Sequence, residues 1–182
     1  MADSFAVDVT RISREAHRTM AVDAADAPRL DEERVISVLN DVVATEVVGW
    51  LRYTRDAVAA RGAGDTRAAA LLSDRAERGM RHAVSAADRI VVLGGHANFD
   101  PDTLAQRAHT DYSVPGGAAL HATIARNLRA EHIVLASYEE IAGWLGERDP
   151  ESRALLESLA EDVRATTDAL AALLADRSVP PT

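Results

Sequence analysis

The chain of 182 residues contains no cysteine, and the basic residues, twenty in all, are every one arginine; lysine is absent. The first absence excludes disulfides, iron–sulfur clusters and thiolate metal sites. Aromatic residues make up only 4% against 47% hydrophobic overall, so any core is aliphatic, built from Ala, Leu, Val and Ile. No apolar run approaches the ~18 residues of a membrane span, and the opening MADSFAVDVT lacks the charged-then-apolar pattern of a signal peptide. A soluble cytoplasmic protein is the expectation. The formal charge of −9 argues against a nucleic-acid partner, which needs a clustered basic surface.

What is present is helix-forming sequence with clear punctuation. Alanine is the best helix former and few β-branched runs compete with it, so an all-α fold is expected. Four segments stand out. The first runs from Asp31, an N-cap candidate, to Gly62, and the second from Asp65 to Gly94-Gly95. The third follows Pro115-Gly116-Gly117 and ends at Gly146; the fourth begins at Asp149-Pro150-Glu151 and fades before Ser178. The connections at 62–65 and 146–150 are tight, which makes each flanking pair antiparallel. The stretch from Gly94 to Gly117 is long enough to cross the bundle, with one short helical turn at Pro101–Leu104. The reading is an antiparallel four-helix bundle over residues 31–177, with one long crossover between its second and third helices. Residues 1–30 form an arm, part helical around Arg11–Met20, and 178–182 a tail.

Helical phase assigns the inward faces. Glu46 and Tyr53 fall in the apolar stripe of the first segment, His82 and Gly79 in that of the second, and Glu131 and Tyr138 in that of the third. In the fourth, Asp162 and Thr166 share the face of Leu159, Val163 and Leu170, with Glu161 the competing register. A core-phase Glu or His taken singly is more often hydrogen-bonded or paired than a metal ligand. Four such residues near the middle of four helices point instead to a metal site, since carboxylates and imidazole suit iron, manganese or zinc.

At these residues the chain resembles the ferritin-like superfamily, most closely its bacterioferritin and starvation-protein branch. The resemblance covers about residues 31–175 and is carried by LNDVVATEVVGWLRYTRDA, RHAVSAADRIVVLGGHANFDPDTL and NLRAEHIVLASYEEIAGWLGERDPESRALLESLA. It implies a di-iron centre that oxidises Fe(II), with a Glu from each of the first and third helices and Glu-x-x-His from each of the others. Glu46 and Glu131 then take the single-Glu positions, His82 the histidine of the second helix, and Tyr53 a site-adjacent tyrosine. Met80 stands where bacterioferritins carry a haem-ligating methionine, a position that equally suits an adaptable packing residue; haem is disfavoured. Two departures are plain. Position 79, where the bridging Glu belongs, is Gly79, and no His follows His132, so the fourth-helix motif is missing.

Two functions remain open at this point: an iron-binding or iron-storing protein with an incomplete ferroxidase site, and a catalytically silent relative kept for assembly or partner binding. In the silent case Arg164 or Arg81 would neutralise the interior acids. A DNA-binding starvation protein ranks below both, because residues 1–30 carry four Arg against five acidic residues. The resemblance implies a homo-oligomer. The short RSVPPT end favours twelve subunits over twenty-four, with a plain dimer as the alternative.

Overall fold

In a computed structural model, residues 31–112 and 119–177 are described. Expectations for the arm at 1–30, the Pro115-Gly116-Gly117 break and the tail from Ser178 lie outside them. The described chain forms α1 (Glu32–Gly62), α2 (Thr66–Val92), a short α3 (Pro101–Arg107), α4 (Leu120–Leu145), a 3-10 turn (Gly146–Arg148) and α5 (Pro150–Arg177). The fold is the expected all-α bundle with the long crossover, and α3 lies within that crossover.

The helix starts follow local chemistry. Asp31 accepts from the Glu33 amide at 3.1 Å, and Glu32 and Glu33 place negative charge at the positive end of α1. Asp65 accepts from the Ala68 amide at 2.8 Å, and Asp149 from the Ser152 amide at 3.0 Å, with Pro150 as the first residue of α5. Gly64 takes the left-handed conformation (φ 78°) that reverses the chain between α1 and α2. At 31 residues α1 is about 46 Å long at ~1.5 Å per residue.

The pairs α1–α2 and α4–α5 pack as antiparallel hairpins, and the crossover lies along α1. It is anchored there by polar bonds. Asn40 accepts from the Asn98 amide at 2.7 Å, Arg107 donates to the Asn40 carbonyl at 2.7 Å, and the His109 amide donates to Thr45 Oγ1 at 2.9 Å. The apolar core is split into two clusters. One holds Val35 to Val48, Ile90, Val134, Leu145, Leu156 and Val163; the other holds Tyr53, Ala57, Leu72, Ile124, Leu170 and Leu173. A polar layer lies between them, and Glu46, Gly79, His82 and Glu131 fall in it.

Candidate functional site

Glu46 on α1 and Glu131 on α4 are both fully buried, and Arg75 on α2, 3% exposed, stands between them. Its Nη1 donates to Glu46 Oε2 at 3.0 Å, and its Nε donates to both oxygens of Glu131 at 3.2 Å. Each carboxylate also has a tyrosine donor. Tyr53 Oη donates to Glu131 Oε1 and Tyr138 Oη to Glu46 Oε1, both at 2.8 Å. His82 Nδ1 lies 3.2 Å from Glu46 Oε1, and its Nε2 lies 3.0 Å from Asp162 Oδ2. The layer is therefore one continuous network running from Glu131 through Arg75, Glu46 and His82 to Asp162 near the surface.

Electrostatics follow the geometry. Burial pushes the Glu46 carboxyl up, but the Arg75 charge and the bonds from His82 and Tyr138 outweigh it and hold the pKa at about 2. Burial works against the Arg75 charge too, and the facing Glu131 and Glu46 reverse this, leaving it well above its ordinary value. His82 is pulled down by burial and raised by more through Glu46 and Asp162. A protonated ring here would donate one N–H to Glu46 and the other to Asp162.

A metal between Glu46 and Glu131 needs their oxygens free to coordinate it. Here those oxygens accept from one guanidinium, two phenols and an imidazole. The space is filled too: a β-carbon on residue 79 would stand 2.8 Å from Arg75 Nη1 and 3.0 Å from Glu46 Oε2. Among the described residues no three His, Asp or Glu side chains converge as a ligand set for a metal. The residues do not fit a di-iron centre.

The positions of the remaining candidates are mixed. Asp162, expected on the core face, has a side chain 53% exposed and reaches inward only to His82. Glu161 is exposed, so of the two registers only Asp162 touches the network. Met80 is half-buried on the flank of α2. Arg164 pairs with Glu139 at 2.6 Å on the surface and Arg81 is exposed; neither neutralises the interior acids. Arg75 does, and it had a sequence signal: it stands one turn before Gly79 and two before His82, in core phase with Leu72. His109, in the crossover, is 4% exposed and meets the Tyr138 ring edge-on at 6.5 Å. Burial holds its pKa down at about 4.

The family model for the ferritin-like domain matches residues 36–178, so the chain belongs to the ferritin-like family. Among solved structures it is similar to the bacterioferritin-related protein of Bacteroides fragilis, described as a dodecameric thioferritin. That match has a TM-score of 0.78 at 22% identity and covers 91% of this chain and 95% of the other. No curated protein matches the sequence.

Proposed function

We propose that this chain is an assembly-forming member of the ferritin-like family whose bundle midpoint is a built-in ion-pair network in place of a di-iron oxidase centre. The observation that carries this reading is Arg75, buried and bonded to both Glu46 and Glu131. A fixed guanidinium supplies the positive charge that the two buried carboxylates require, and it does so without redox chemistry.

Assembly draws separate support. Leu51, Val58, Val84 and Val91 on the outer faces of α1 and α2 are 42–64% exposed, a supply of apolar surface that a subunit contact would cover. The dodecameric neighbour favours twelve copies. No described helix is long and apolar enough to cross a membrane. Sedimentation of the purified protein reads the subunit count directly.

The competing reading is an iron-oxidising protein that works with fewer ligands. Its support is the chain of contacts from half-exposed Asp162 through His82 to Glu46, which leads inward from the surface. Anaerobic Fe(II) titration followed by admission of air separates the two. The proposal expects no tight Fe(II) binding at the midpoint and oxidation at the rate of buffer alone. Stoichiometric binding with rapid oxidation would overturn it.

A further inference from the structure

A second polar cluster lies further along α1, outside the network just described. Arg52 is 2% exposed, as buried as Arg75, but its partners differ in kind. Nε donates to Asn127 Oδ1 at 3.1 Å, and Nη1 donates to Thr110 Oγ1 and to the Asp111 carbonyl, both at 3.0 Å. All three acceptors are neutral, and Nη2 bonds nothing among the described residues. Asp56 is the nearby carboxylate, and it is already engaged. It pairs with Arg55 at 2.8 Å and Arg126 at 3.2 Å, and accepts from Asn127 Nδ2 at 2.8 Å. A buried cation whose contacts are all neutral is costly unless a counter-charge is supplied.

A cavity of about 190 Å³ opens onto Arg52, lined also by Thr110, Asp111, Arg126, Arg129 and Ile133. At ~30 Å³ per water this is room for about six waters, enough for a tetrahedral anion with part of its hydration. Arg129 is exposed and makes no hydrogen bond or ion pair among the described residues. The cluster sets four guanidinium groups (Arg52, Arg55, Arg126, Arg129) against two carboxylates (Asp56, Asp111). It is locally positive in a chain of net charge −9.

We propose that this cavity is a binding site for a small oxyanion of the phosphate class, held by Arg52 from inside and by Arg129 from its rim. Guanidinium groups suit that ligand because their planar forks present paired donors to adjacent oxygens. A free inorganic anion of this class fits within the cavity and is the ligand tested.

The test is calorimetric titration of the intact protein with inorganic phosphate against chloride at matched ionic strength, on wild type, Arg129→Ala and Ile133→Glu. Arg129 is exposed, so its replacement leaves the fold intact. The expected result is saturable phosphate binding by wild type, weakened roughly tenfold or more in Arg129→Ala. Ile133→Glu should bring a carboxylate to the cavity, abolish phosphate binding and keep or raise the melting temperature. No saturable phosphate heat in wild type, or equal affinity in wild type and Arg129→Ala, overturns the proposal.

Discussion

Arg75 and Gly79 stand one turn apart on α2, and the guanidinium of the first occupies the space that a side chain on the second would need. Glycine in a helix interior costs about 1 kcal/mol relative to alanine, so Gly79→Ala would ordinarily stabilise α2. Here the added carbon meets Arg75 Nη1 at 2.8 Å and Glu46 Oε2 at 3.0 Å, and both atoms are pinned by their ion pair. We expect Gly79→Ala to destabilise wild type by about 1–2 kcal/mol and to stabilise an Arg75→Ala background. Urea denaturation of the four proteins in a double-mutant cycle measures the change of sign. Additive effects would show that the two residues are not coupled.

Removing Arg75 alone leaves Glu46 and Glu131 buried without their cation. Loss of one partner from a buried pair costs about 3–5 kcal/mol, and Arg75→Met should cost this much at pH 7. The loss should shrink as the pH falls and Glu46 takes up its proton. Mn(II) or Zn(II) should raise the melting temperature of Arg75→Met and leave wild type unmoved, because only the variant has oxygens free for a metal. A comparable metal-dependent rise in wild type would argue that Arg75 yields its place.

The bundle was legible because its signals are periodic or local. Asp31, Asp65 and Asp149 mark helix starts, and the length of the crossover dictates the order of helices. Inward phase located Glu46, His82 and Glu131 correctly within the core. Arg75 shares that phase, yet one arginine among twenty reads as solvated surface, because nothing local distinguishes a guanidinium that finds two carboxylates on other helices. Asp162 shows the opposite limit. Phase put it inward, but its side chain lies at the rim and reaches His82 from there. His109 sits in an irregular connection, where no period exists to report burial.

Tyr138 tests the network without changing its charge. Its Oη donates to Glu46 Oε1 at 2.8 Å, and a bond to a charged acceptor contributes about 1.5–3 kcal/mol. Tyr138→Phe should cost roughly that and raise the Glu46 pKa, moving the acid limb of the stability curve to higher pH. An unchanged acid limb would mean that Arg75 and His82 alone set the ionisation of Glu46.

Acid should weaken the fold in two successive windows. His109 has a pKa of about 4 when folded against an ordinary 6.5. Its neutral form contributes stability above pH 6.5 that is lost as the pH falls toward 4. Its Nδ1 is buried with no partner among the described residues, so a proton there gains no acceptor from them. Glu46, at about 2 against 4.5, loses its contribution lower, between pH 4.5 and 2. His109→Phe should flatten the upper window and leave the lower, as read from unfolding free energies measured across pH. If the upper window persists in the variant, His109 is not its source.

Asp41 runs the other way and offers a stabilising change. Burial raises its carboxyl to about 7 from 3.8, with the Arg107 charge only partly opposing this. Arg107 spends its Nη1 and Nη2 donors on the Asn40 and Asn98 carbonyls, not on Asp41. A raised carboxyl pKa means that the folded state prefers the proton. The penalty for ionisation is therefore absent below pH 3.8, grows between 3.8 and 7, and is complete above. Because the side chain keeps some contact with solvent, the full penalty is taken as about 1–2 kcal/mol. Asp41→Asn should thus stabilise the protein by that amount at pH 8, by less at pH 5, and not at all at pH 3.5. The comparison is made by urea denaturation of both proteins at the three pH values. A gain of equal size at all three would assign the effect to packing and not to the charge.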